Sequence, residues 1–273
     1  MVLLPKLTSL RLSGADAGDF LHNQLSADIL ALATDESTFA CYCEPKGRVL
    51  ALMLVSRQDD DFLVILSAEL AESICKRLRM YVMRSKVEIE VQNELTVVGL
   101  DSDDNDNADI GSLAKVTVPN TSKTLLITSE LTALAEIPAL ANLWKFEELR
   151  AGIVWLCQQT SGQFLPQMLG YDQMGAVNFR KGCYPGQEIV ARTHYLGKVK
   201  RHPRLLCTTA MNCPAPLEKL DIYSGDQSYS AVVTDCTYDE DGGACIYVVT
   251  RMDPKLVAVK IKYQDQEVEL KAG

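Results

Sequence analysis

No C-x-x-C pair occurs anywhere in the 273 residues, although the chain carries nine cysteines. That absence removes zinc ribbons and thioredoxin-like dithiols from consideration. The nine are odd in number and scattered, with Cys41 and Cys43 the only close pair, so most are expected to be free thiols that pack as small apolar residues. Long hydrophobic runs are missing too. The longest uninterrupted one, "VLALMLV" from Val49 to Val55, is far too short to span a bilayer, and no membrane association is expected. The opening "MVLLPKLTSLRLSG" lacks the basic start and small-residue cleavage site of an export signal, which makes the cytoplasm the expected location. Positive charge is in deficit, at a formal net charge of −9. An acidic chain repels anionic polymers, so stable direct nucleic-acid binding is not expected. The deficit has one exception. Between Arg180 and Arg204 stand seven bases and a single acid, Glu188, and such an island suits one anion or one anionic partner bound in one place.

What is present reads as an ordinary globular chain, 47% apolar and 23% charged. "LTSLRLSG" alternates like a strand, and "DAGDFLHNQLSADILAL" places Phe20, Leu21, Gln24, Leu25 and Ile29 at helical spacing behind Asp16 as N-cap. "TFACYC" and "RVLALMLVS" read as strands joined by an "EPKG" turn, and "FLVILS" as a third. "ELAESICKRLRMYVM" puts Leu70, Ile74, Leu78, Tyr81 and Val82 on one helical face, before the strands "KVEIEV" and "LTVVGL". This order predicts an α+β unit with helices on one side of an antiparallel sheet. "DSDDNDNAD" fails the calcium-loop template at its sixth and twelfth positions, Asp106 and Ser112, and is expected to be a solvated loop. "KVTV" and "TLLIT" follow as short strands, then a helical pattern on both sides of Pro138 that ends at Gly152. From Leu205 onward, short β patterns at even spacing predict a small antiparallel barrel or sandwich. The expected division is 1–203 and 204–273.

The chemistry concentrates in "KGCYPGQE", Lys181 to Glu188. Pro185 suits a first helical turn and Glu188 suits the dipole of that turn, with Ile189, Val190 and Leu196 as an apolar face. A helix is therefore expected from Pro185, with Cys183 just ahead of its N-terminus. Free N–H groups at that end, with Lys181 and Arg180 nearby, favour a thiolate or an anion. Gly182 and Gly186 permit close backbone approach. A buried cap residue in a tight turn is the competing reading of the same residues.

The stretch "SGQFLPQMLGYDQMGAVNFRKGCYPGQEIVARTHYLGKVKR", Ser161 to Arg201, resembles the YgfZ family, the folate-binding branch of the glycine-cleavage T-protein superfamily. "FLHNQLSADI" and "PKGRVLALM" resemble that family's two N-terminal motifs in the same order. The resemblance implies three subdomains in a ring around a folate channel, with a C-terminal antiparallel β-barrel. It implies tetrahydrofolate, or a one-carbon derivative, as cofactor, and a possible transient iron–sulfur cluster. The implied role is support of the assembly or repair of iron–sulfur enzymes, with those enzymes or assembly proteins as partners and an indirect effect on tRNA methylthiolation. Cys183 would be the functional thiol. The implied channel residues are Trp144, Gln24, Asp28, Lys181, Gly182, Tyr184, Gly186, Gln187, Glu188, Arg192, Lys200 and Arg201.

Departures from the related aminomethyltransferases narrow the activity. Their paired aspartates after the position of Gly47 are Ala51 and Leu52 here, and their R-x-E-A-G glutamate is Arg150. Without those acids, glycine cleavage is not expected. The first of two tryptophans that the family can set against folate falls near Leu7, which leaves Trp144 as the stacking partner. Arg201 with Lys200 would hold the anionic glutamate tail. The alternative reading is a folate-dependent one-carbon transferase or demethylase. His194 and His202 lack the spacing of a metal pair, and no resident metal is expected.

Overall fold

A computed structural model describes residues 1–101, 112–129, 137–197, 199–209, 211–264 and 266–271. Most of the acidic "DSDDNDNAD" stretch and the helical pattern ahead of Pro138 lie outside these residues.

Three antiparallel sheets carry the fold. The first has five strands: β2 (Leu7–Ser13), β3 (Ser37–Cys43), β4 (Val49–Gln58), β5 (Asp61–Ser67) and β6 (Glu88–Val91), in the spatial order β3-β4-β5-β2-β6. In β2 the alternation works as read: Leu10 and Leu12 are fully buried while Arg11 between them is exposed and pairs with Asp61. β4 and β5 are buried on both faces and read as continuous apolar runs. Helices α1 (Ala17–Gln24) and α2 (Ala68–Val82) flank this sheet. Along α2, Leu70, Ile74 and Leu78 are buried as expected, but Tyr81 is exposed, because the last turn carries its side chain clear of the sheet. Helix α1 is shorter than its apolar spacing suggested. Leu25 is already extended, and Ile29 belongs to a separate 3-10 turn, Ile29–Ala31. Asp16 precedes α1 without capping it; its carboxylate accepts the Lys86 N–H at 2.7 Å instead.

The second sheet, in the order β1-β7-β9-β8, joins β1 (Val2–Leu3) to β7 (Thr96–Leu100), β8 (Ser112–Thr117) and β9 (Thr124–Thr128). "LTVVGL", read as a continuation of the first sheet, thus belongs to another. Helix α3 (Pro138–Arg150) begins at its proline, where the missing N–H costs nothing, and packs near β1.

From His202 onward the third sheet is formed by β10 (His202–Cys207), β11 (Lys219–Ser224), β12 (Gln227–Tyr238), β13 (Ala244–Thr250), β14 (Lys260–Tyr263) and β15 (Gln266–Glu269). Its order is β10-β13-β12-β11-β14-β15, and it encloses a core of its own around Ile222, Val233, Ile246 and Ile261. The expected barrel is not closed. The end strands β10 and β15 share no ladder, and a single bridge between Thr208 and Leu270, just past their ends, spans them.

The cysteines depart from the free-thiol expectation here. Cys207–Cys245 and Cys213–Cys236 are disulfides, while Cys41, Cys43, Cys75, Cys157 and Cys183 are free. The first pair sits directly opposite in the β10–β13 register, which places the two thiols side by side despite 38 residues of separation.

Candidate functional site

The segment that carries Cys183 is fixed by backbone contact. Gly186 adopts φ +84°, and a Cβ built on it would lie 2.4 Å from Glu44 O and 2.7 Å from Gly47 Cα. Gly47, at φ +76°, presses in turn on Ile189. The "EPKG" and "PGQE" turns therefore meet main chain to main chain, a distance only glycine allows. Beyond the short helix α4 (Pro166–Leu169), helix α5 (Gln187–Tyr195) starts after this contact, with Gly186 as N-cap, two residues later than Pro185 suggested. A residue in left-handed conformation cannot belong to the helix it precedes. Glu188 lies in the first turn, Val190 is buried, and Leu196 is exposed beyond the helix end.

Cys183 is the one exposed free cysteine among the described residues. Two residues before it, the Lys181 side chain turns inward and is only 8% exposed. Its ammonium donates to the carbonyls of His22 and Leu25, the latter at 2.7 Å, and so closes the C-terminal end of α1. Burial lowers its pKa to about 8, opposed by attraction to Asp28 and Cys183. His22 Nδ1 stands 3.3 Å from Asp28 Oδ1, and burial, followed by the charge of Lys181, lowers the imidazole pKa. Asp28 sits just ahead of the 3-10 turn rather than within a helix, which corrects the helical placement of its segment. Gln24 Oε1 is buried without a hydrogen-bond partner. Tyr184 is buried with the Lys181 ammonium 5.3 Å from its ring centroid, and burial raises its pKa along with those of Cys41 and Cys43 beneath. Gln187 Nε2 donates to the carbonyls of Lys181 and Gly182 at 3.3 and 3.4 Å. Asn178 Oδ1 accepts the N–H groups of Arg180 and Lys181. The thiol thus stands in a braced loop. Arg192 and Lys200 are exposed, and His194 stacks on Phe179 at 3.7 Å.

Trp144 is elsewhere. It lines a cavity of about 240 Å³ between α3, the N-terminal segment and β12, and no other channel residue expected from the sequence lines it. Its apolar wall includes Leu3, Leu4, Pro5 and Leu7, the last being near the expected position of the first, missing tryptophan. The indole is 6% exposed, and the Lys123 ammonium lies 3.9 Å from its ring centroid. Gly99 lets the ring lie against β7, where a Cβ would come within 2.7 Å. Trp144 Nε1 is buried without a hydrogen-bond partner. Facing the same space is Glu148, one helical turn on and 7% exposed, which accepts the Trp155 indole N–H at 3.0 Å. Burial raises the Glu148 pKa to about 7, so this carboxyl exchanges its proton near neutrality. Lys145 and Asp235, paired at 2.5 Å, close one side. Sequence reasoning missed Glu148: it looked for an acid at Arg150, and nothing local marks a glutamate two residues earlier as buried. Arg201 lines a different cavity, shared with Lys46, Arg48 and Lys219.

Among the described residues no three His, Cys, Asp or Glu side chains converge as a metal-binding group, and no helix is long and apolar enough to cross a membrane.

No family model matches the chain. Two curated relatives, the tRNA-modifying protein YgfZ of Escherichia coli O7:K1 (strain IAI39 / ExPEC) and that of Escherichia coli strain K12, are each 28% identical over 268 residues, covering 89% of this chain and 82% of theirs. Among solved structures, the glycine cleavage system aminomethyltransferase T from Bartonella henselae superposes with a TM-score of 0.73 at 12% identity, over 98% of this chain and 83% of that one. That likeness carries the fold. Along most of its length the chain is thus similar in sequence to these YgfZ proteins, and its architecture has the fold of the aminomethyltransferase.

Proposed function

We propose that the chain is a cytoplasmic folate-binding protein that supports the assembly or repair of iron–sulfur enzymes and through them affects tRNA modification. The observation that carries the folate part is the Trp144 cavity: an indole N–H that completes no hydrogen bond of good geometry, and beside it a buried carboxyl whose pKa is raised to about 7, face one apolar space. A pterin ring has an acceptor for the first and adjacent N–H donors for the second, and its flat apolar body suits the wall between them. Trp144 and Glu148 would hold the pterin, and bound tetrahydrofolate would supply a carrier for one-carbon groups. Glu148 then does the work that an acid at position 150 does in the aminomethyltransferases. The ring of subdomains around a folate channel and the division at residue 203 belong to this same reading.

The iron–sulfur part rests on the family and on Cys183, an exposed thiol in a braced loop. The described residues do not make a cluster site by themselves, so no step is routed through a resident cluster. Cys183 would meet its client at the surface.

Anaerobic calorimetric titration of tetrahydrofolate into wild type, Trp144→Ala and Glu148→Gln tests the reading. Saturable binding to wild type, weakened at least tenfold in both variants, is the expected result. Absence of binding, or binding indifferent to both substitutions, rejects the cavity as a folate site.

A further inference from the structure

The second cavity differs from the first in every residue that lines it. About 590 Å³ in volume, it opens where the "EPKG" turn, the start of α5 and the third sheet meet. Four cations border it: Lys46 and Arg48 from the turn, Arg201 from the segment ahead of β10, and Lys219 from β11. No acid lines it, and none of the four forms an ion pair among the described residues. Arg48 is oriented rather than loose, because Nη1 donates to the carbonyls of Gly162 and Gln163 at 3.3 and 3.2 Å. Arg201 is half-buried. The floor is apolar, from Phe164, Met168 and Ile189.

Four like charges gathered around one concavity repel each other, and each would be more stable with an acid beside it. The rest of this acidic chain offers acids in plenty, yet none is placed here. A fixed arginine fork with three further cations around it is the arrangement that binds clustered anionic oxygens. Size limits the choice. A long polyanion is repelled by the net charge of −9 that the whole chain carries, whereas a compact one seated in the cavity meets only the cations that line it.

We propose that this cavity is a separate binding site for a compact polyanion, a small molecule that carries clustered phosphate or carboxylate groups. The site is independent of the folate reading, because none of its residues borders the Trp144 cavity.

Calorimetric titration of the full chain with tripolyphosphate and, separately, with tricarballylate tests this and distinguishes the two sources. The proposal expects saturable one-to-one binding of at least one anion. Arg201→Ala with Lys219→Ala should weaken it at least tenfold, while the remote exposed pair Lys76→Ala with Lys255→Ala leaves it within twofold. Lys46→Ala, on an exposed turn, should weaken it in the same direction and serves should the double variant fail to fold. Failure of both anions to bind overturns the proposal, as does equal weakening by the remote pair. An RNA hairpin that binds through Arg201 and Lys219 while both small anions stay silent also overturns it, in favour of a nucleic-acid surface.

Discussion

Replacing Glu148 by glutamine should remove a pH dependence from the stability of the whole protein. The buried carboxyl has its pKa raised from 4.5 to about 7, chiefly by desolvation. The folded state therefore holds a proton that the unfolded chain releases at lower pH. Folding stability is then highest below the unfolded value and falls as pH rises from about 4.5 through about 7. At 1.36 kcal/mol per pKa unit, the loss over that window is on the order of 3 kcal/mol. Glutamine keeps an acceptor for the Trp155 N–H and cannot ionise, so it should hold stability across the window. Lys145 and Asp235, also on this cavity, are paired with each other and remain in both proteins. The assay is urea unfolding at pH 5 and pH 8. Wild type should lose roughly 2.5 kcal/mol more than Glu148→Gln between the two values, since part of the loss is already complete at pH 5. Equal losses would refute the claim that this carboxyl is buried in its neutral form.

Two further outcomes follow from the Cys183 loop. Gly186→Ala should destabilise the fold by roughly 2 kcal/mol or more, because the new methyl meets the Glu44 carbonyl and the Gly47 main chain at a left-handed residue; thermal melting measures it. In native protein a thiol reagent such as Ellman's should label one cysteine per chain quickly, and Cys183→Ala should abolish that fast phase, since Cys41, Cys43 and Cys75 are buried and Cys157 is half-buried.

The legible parts of the sequence were those whose signals are local. The alternation of β2, the buried runs of β4 and β5, and the glycines around Cys183 each state their requirement within a few residues. What stayed hidden depends on partners far along the chain. Cys207 and Cys245 become neighbours only through strand register, and the start of α5 is set by a turn in the first sheet. Trp144 stood out because an indole is rare and lies at a position that the resemblance marks, whereas Glu148 is one of many glutamates until the fold buries it. Arg201 is part of a basic island in the sequence, but only the structure associates it with Lys46, Arg48 and Lys219 rather than with Trp144.

The meeting of Gly47 and Gly186 has a consequence for the life of the chain. The thiol loop, braced locally by Asn178 and Gln187, takes the rest of its shape from a turn synthesised long before it. The position of Cys183 in the native protein therefore depends on the first sheet as well as on its own segment. An unfinished or unfolding chain would present the same cysteine on a slack loop, with the Lys181 ammonium released from α1. A substitution at either glycine would therefore be felt in two places at once, at the turn of the first sheet and at the loop that carries the thiol.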